Sequence, residues 1–186
     1  MIKGFFFDLD GTLVDTHEAN FQAYRRALND FAVELTFASF KETIGQHAKE
    51  FLPRLAPGLN DEDYKIIADK KAEYYKDLMH LSKLNTALLG FIEYVKSDHV
   101  VALVTTARRQ NAQAALDHHG LTHHFEYLIT AEDVTKSKPS PEGYKLALER
   151  SGLQPSEVIA FEDSESGRQA AEAAGIAVIM VKDFLL

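Results

Sequence analysis

The run Gly4-Phe5-Phe6-Phe7 leaves this chain few ways to fold. Such an uninterrupted apolar stretch cannot sit at an exposed sheet edge. It reads as a strand buried on both faces, as in a parallel sheet with helices above and below. The run ends in two carboxylates one residue apart, Asp8 and Asp10, followed by Gly11, which permits a tight turn. Ligands of open parallel sheets bind beyond the carboxyl ends of the strands. Asp8 and Asp10 therefore fall where chemistry is usually sited. One carboxylate can attack while its neighbour handles protons, provided their environments separate their proton affinities. Two plainer readings compete. Asp-Leu-Asp-Gly could be an ordinary turn with side chains bonding their own backbone, or half of a calcium loop. The calcium reading lacks both the ligand spacing and the closing Glu, since the twelfth position counted from Asp8 is Ala19.

The rest of the composition narrows the class. At 186 residues there is material for one domain with a large insertion, or for two small domains. A formal charge of −8, with no basic stripe to offset it, argues against nucleic acid as the main partner. The absence of cysteine excludes disulfides, zinc thiolate sites and thiol nucleophiles. No apolar run approaches membrane-spanning length, and the N-terminus enters a strand at once, without a signal-peptide layout. The expectation is a cytoplasmic protein with no membrane partner.

Along the chain, Asp15 with Glu18 three residues on suggests a capping box at a helix start. That helix carries Phe21, Tyr24, Leu28 and Phe31 at helical spacing, with Asn20 close to the stripe. Two shorter helices are expected over 36–44 and 47–55, separated by Gly45 and closed by Pro57-Gly58. Asn60 opens a long helix through about Leu81, with Tyr64, Ile67, Ala68, Tyr75 and Leu78 on its buried face. Lys71 lies in the middle of that face, so its amine either snorkels to water or faces a polar cavity. From Thr16 to about Leu81 the chain is thus all helix.

An α/β alternation then resumes. Helices are expected over 86–97, 107–119, 141–151 and 164–174, and strands over 99–104, 125–129, 157–161 and 176–181. This alternation implies a parallel sheet. The second strand ends at Thr105-Thr106, and the fourth runs into Glu162-Asp163. His118, His119, His123 and His124, around a helix C-terminus, read as a solvated end that favours the helix dipole. Ser164 reads as a helix cap.

The polar groups expected to converge are Asp8, Asp10, Thr105, Glu162 and Asp163 at the strand ends, with Lys138 in the loop before a helix. Clustered carboxylates repel one another unless a divalent ion and a proton intervene, and oxygen ligands without His or Cys favour Mg²⁺ over zinc. A hydroxyl and a lysine beside them suit a phosphate dianion, which otherwise could not approach a carboxylate nucleophile.

This order resembles the haloacid dehalogenase superfamily along the whole chain. Asp8-Leu9-Asp10-Gly11-Thr12 matches its first motif, Val104-Thr105 the second, and Lys138-Pro139 the third. Phe161-Glu162-Asp163-Ser164 with Gly167 matches the fourth. The helical insertion looks like the family's cap domain, of the β-phosphoglucomutase and phosphoglycolate phosphatase branch. The resemblance implies an α/β, Rossmann-like catalytic core over 1–15 and 82–186, and a helical cap over 16–81. It implies that Asp8 attacks phosphorus and that Asp10 serves as acid and then base. Thr105 would bond the phosphoryl group and Lys138 would balance charge. Asp8, the carbonyl of Asp10, Asp163 and Glu162 would hold Mg²⁺.

Thr106, Asn20 and Lys71 are the candidate substrate contacts. The implied activity is a phosphatase for a small phosphorylated metabolite, acting as a monomer or weak homodimer. A sugar-phosphate mutase is the alternative. Mutases of the branch carry a His where this chain has Asn20, and an Arg after the cap's Gly, where this chain has Gln46-His47-Ala48-Lys49. A non-catalytic binding protein on the same fold would need no intact nucleophile, acid and metal set. Asp183-Phe184-Leu185-Leu186 follow the last strand closely, where relatives usually continue with another element.

Overall fold

The expected strand over 4–7 forms as β1 (Gly4–Phe7), and all four of its residues are buried. The computed structural model describes residues 1–44, 46 and 48–181. The expectations placed on Gly45, on His47 and on 183–186 lie outside the described residues. Two compact units emerge, one of residues 1–15 with 83–186 and one of residues 16–82.

In the first unit, β1 lies at the centre of a five-stranded parallel sheet. The other strands are β4 (Val100–Val104), β5 (Tyr127–Ile129), β6 (Val158–Glu162) and β7 (Ala177–Met180). The order is β5-β4-β1-β6-β7. Gly4 pairs with Val100 and Val158, and Phe7 with Leu103 and Phe161. This register brings the carboxyl ends of β4, β1 and β6 level, so the loops after them share one rim. The connecting helices are α5 (Thr86–Val95), α6 (Arg109–His118), α7 (Glu142–Ser151) and α8 (Glu165–Ala173).

Side chains alternate across a strand, and the phenylalanines of β1 divide accordingly. Phe5 and Phe7 join Phe91 of α5 and Phe161 of β6. The Phe7 and Phe161 rings stack at 4.7 Å, and Phe5 meets Phe91 edge-on at 5.0 Å. Phe6 points the other way, into a cluster with Tyr144, Ala147, Ala170 and Ala171 from α7 and α8. Both faces of the strand are therefore covered, which is why no polar alternation marks it in the sequence.

The chain leaves this unit through β2 (Val14–Asp15) and returns through β3 (Lys83–Leu84), and the two pair antiparallel. That pairing corrects the expected helix start. Asp15 faces Lys83 in the ladder, so Thr16 becomes the N-cap of α1 (His17–Asn29), and its side chain makes no cap bond. The other helices of the second unit are α2 (Phe37–Lys41), α3 (Ala48–Leu55) and α4 (Asp61–Asp77). α2 is shorter than expected, ending at Lys41 in turns. α4 stops at Asp77, and a 3₁₀ turn over Met79–Leu81 takes up the remainder. The start of α4 is a reciprocal capping box: Asn60 Oδ1 accepts from the amides of Glu62 and Asp63, and Asp63 accepts from the Asn60 amide. The core of this unit is Phe21, Leu28, Phe40, Phe51, Leu52 and Ile67.

Lys71 departs from the snorkelling reading. It is buried, and its ammonium lies 4.0 Å from the Tyr75 ring centroid and 5.2 Å from that of Tyr24, a cation–π arrangement. The histidine cluster also divides. His118 and His123 are exposed, but His124 is buried in a 3₁₀ turn with Glu93 3.7 Å away. Burial pushes its pKa down, so it is no solvated end group. Among the described residues, no helix is long and apolar enough to cross a membrane.

Phe6 is the sharpest test of the core. Phe6→Ala removes a ring that is wholly buried between β1 and two helices and should destabilise the protein by about 3–5 kcal/mol. Urea unfolding reads this directly, and a loss under about 1 kcal/mol would contradict the packing described.

Candidate active site

Three strand ends and one loop assemble the site, all within the sheet unit. β1 delivers Asp8, which is buried and whose amide donates to the carbonyl of Phe161 at 3.0 Å. The chain then turns sharply, with Gly11 at φ +88°, and Asp10 forms an isolated bridge with Val14. A Cβ on Gly11 would lie 2.1 Å from Asp163 Oδ2, so only glycine allows the loop and that carboxylate to approach so closely. Thr12 Oγ1 donates to Asp163 Oδ1 at 3.2 Å. β4 delivers Thr105, buried, whose Oγ1 accepts from the Ala107 amide at 3.0 Å; Thr106 follows, half-buried.

Lys138 comes from the loop before α7. That loop is tied to the helix start, because the Glu142 carboxylate accepts from the amides of Thr135 (2.7 Å) and Lys136 (2.9 Å). Lys138 Nζ donates three times: to Asp8 Oδ1 at 2.6 Å, to Glu162 Oε1 at 2.5 Å and to the carbonyl of Val104 at 2.8 Å. Glu162, at the end of β6, has no exposed surface. Its Oε1 also accepts from the Tyr144 hydroxyl of α7. Ser164 caps α8 as expected, its Oγ accepting from the Gly167 amide at 3.0 Å.

Burial dominates the electrostatics. It pushes the Asp8 carboxyl up to about 7; Lys138 opposes this, while the Glu162 and Asp10 carboxylates reinforce it. Burial also raises Glu162, against Lys138 and Tyr144. For Lys138 burial works downward, yet Asp8 and Glu162 outweigh it and hold the ammonium well above its usual range. The cluster thus holds one firmly charged cation among carboxylates that crowd one another.

Asp8, Glu162 and Asp163 each offer an oxygen within 4.8 Å of the others. Glu162 Oε2 is buried with no hydrogen-bond partner among the described residues. A buried carboxylate oxygen left unpaired is costly. An oxygen-only donor set with such an atom fits a hard divalent cation.

The expected site residues Asp8, Lys138, Glu162 and Asp163 stand in one cluster. Thr105 and Asp10 occupy the same strand ends, and the charge of Asp10 acts on Asp8. Asn20 and Lys71 belong to the helical unit, where Asn20 Nδ2 donates to Thr16 Oγ1 at 3.0 Å. Sequence reasoning missed Tyr144 and Thr12. An aromatic residue at the start of α7, soon after Lys138, was the available signal for the first.

The raised Asp8 pKa fixes a pH dependence for the metal-free protein. Unfolded, Asp8 gives up its proton near its ordinary value of 3.8; folded, it holds the proton to about 7. The native state therefore binds more protons between these values, and stability falls as pH rises from about 4 to about 7. Denaturant unfolding at a series of pH values should show the decline, and Asp8→Asn should flatten it. An unchanged slope in the variant would assign the decline to another group.

A profile for haloacid dehalogenase-like hydrolases matches residues 5–181. The phosphorylated carbohydrates phosphatase of Thermotoga maritima is 34% identical over 176 residues, covering 91% of this chain and 80% of that protein. The fructose-1-phosphate phosphatase YqaB of Escherichia coli is 30% identical over 184 residues, covering 96% of each. Among solved structures, CbbY from Rhodobacter sphaeroides in complex with phosphate superposes with a TM-score of 0.88 at 26% identity, covering 97% of this chain and 86% of that one. The chain belongs to the haloacid dehalogenase-like hydrolase family.

Proposed function

We propose that this protein is a Mg²⁺-dependent phosphatase that hydrolyses a small phosphorylated metabolite through an aspartyl-phosphate intermediate on Asp8. The observation that carries the reading is the buried Asp8 carboxylate at the end of β1, 2.6 Å from Lys138 and clustered with Glu162 and Asp163. Relatives named as phosphatases of phosphorylated carbohydrates and of fructose 1-phosphate support the substrate class.

On this reading an Asp8 oxygen attacks phosphorus as the ester P–O bond breaks, and Asp10 gives its proton to the leaving oxygen. Water then attacks the aspartyl phosphate. Asp10 takes a proton from that water, the bond to Asp8 breaks, and inorganic phosphate departs. Lys138 offsets the charge of Asp8 and of the phosphoryl oxygens, and Thr105 donates to the latter. Asp8, Asp163, Glu162 and the Asp10 carbonyl are the residues that would hold Mg²⁺, whose contribution when bound is to neutralise carboxylate and phosphoryl charge. We assign 1–15 with 82–186 to the catalytic core and 16–81 to a cap. Selection of the remainder of the substrate falls to Thr106, Asn20 and Lys71.

Turnover of p-nitrophenyl phosphate with Mg²⁺, its abolition by chelation, and its fall by on the order of 10³ or more in Asp8→Asn would test the reading. Wild-type rates in that variant, or indifference to chelators, would overturn the mechanism. The recognition residues are separable from the core chemistry. Lys71→Ala should slow large natural substrates while sparing acetyl phosphate, whereas Lys138→Ala should slow both alike. Equal damage to acetyl phosphate by both changes would place Lys71 in the catalytic machinery.

A further inference from the structure

Lys138 faces two claimants. Asp8 Oδ1 lies 2.6 Å from its ammonium and Glu162 Oε1 lies 2.5 Å away. Both carboxylates are buried, so either one is costly to leave without the cation. A carboxylate oxygen with only one donor concentrates its charge on that donor. Glu162 Oε1 has a second donor, the hydroxyl of Tyr144.

Tyr144 is otherwise unexplained as a core residue. It is almost completely buried in an apolar cluster of alanines, valines and phenylalanine, where a phenylalanine would pack equally well. Its hydroxyl instead reaches the one buried glutamate of the site. Its ring centroid lies 5.4 Å from the Lys138 ammonium, so one side chain touches both members of the pair. Burial and the nearby carboxylates keep the hydroxyl protonated, and therefore a donor.

The other side of Glu162 is confined by a different residue. A Cβ on Gly167 would lie 1.9 Å from Glu162 Oε2 and 2.2 Å from its Cδ. The glutamate thus has Tyr144 and Lys138 on one oxygen and the bare backbone of α8 against the other. It cannot rotate without losing donors, and it cannot shift toward α8 without collision.

We propose that Tyr144 is a positioning residue: by sharing Glu162 Oε1 it limits the glutamate's hold on Lys138 and keeps that ammonium on Asp8. Gly167 completes the arrangement by leaving room for the second oxygen. The proposal rests on the phosphatase reading above for its catalytic consequence, but the contact itself does not.

The test is a cycle of Tyr144→Phe, Glu162→Gln and the double variant, assayed on p-nitrophenyl phosphate with Mg²⁺. Phenylalanine keeps the ring and removes only the hydroxyl. Its kcat should fall about tenfold, the scale of one hydrogen bond to a charged group, with KM within about twofold of wild type. In the Glu162→Gln background, where the neutral amide no longer competes for the lysine, the same change should cost nothing further. Equal losses in both backgrounds, an unchanged kcat, or a change confined to KM would each overturn the proposal. Should Tyr144→Phe fail to fold, Tyr144→Leu also removes the hydroxyl while keeping an apolar side chain in the cluster, and should give the same kcat loss and the same dependence on Glu162. A wild-type protein without turnover would sink the phosphatase reading alone. The cycle is then read by urea unfolding, where additive effects of the two changes would overturn the contact and non-additive effects would uphold it.

Discussion

One ammonium group holds the end of this sheet together. Lys138 Nζ bonds the buried carboxylates of Asp8 and Glu162 and the last carbonyl of β4, joining β1, β4 and β6 at their carboxyl ends. Removing one partner of such a buried cluster is expensive because the remaining charges stay desolvated. The carboxylates crowd one another even with Lys138 in place, and burial drives Asp8 toward neutrality. On the proposed reading Asp8 needs the opposite state, which further positive charge at the cluster would favour. Glu162 Oε2, which has no hydrogen-bond partner among the described residues, expresses the same deficit in hydrogen-bond terms.

Backbone supplies what side chains cannot. Gly11 and Gly167 each stand where a methyl group would collide with a carboxylate of the fourth motif, Asp163 in one case and Glu162 in the other. The loop after β1 and the first turn of α8 can therefore close on the acidic pair without displacing it. Thr12 and Ser164 then fix those segments by hydrogen bonds, to Asp163 and to the Gly167 amide respectively.

Much of this was legible in the sequence, where the information is local. A phenylalanine run means burial on both faces, and a motif read in order at strand ends locates Asp8, Lys138, Glu162 and Asp163. What failed depends on partners remote in the chain. Asp15 has every local mark of a helix cap, but Lys83, 68 residues on, draws it into a ladder. Lys71 looks like a stem reaching for water until the rings of Tyr24 and Tyr75 are placed beside it. His124 differs from its three neighbours only in burial, which composition does not reveal. Tyr144 carries only the mark of its place soon after Lys138, because a tyrosine in a helix is usually core and its hydroxyl's partner is what distinguishes it.

The strand order carries a consequence for how the chain is made. β1 is synthesised first, yet its sheet neighbours begin at Val100 and Val158. At ribosomal rates of about 5–20 residues per second, its phenylalanines wait several seconds for one neighbour and longer for the other. Throughout that interval a strand buried along its whole length has no sheet to join, while the helical unit that follows it can condense by itself from local contacts. The nascent chain is therefore most exposed to mispairing, and most dependent on chaperone cover, at the segment that later becomes the centre of its core.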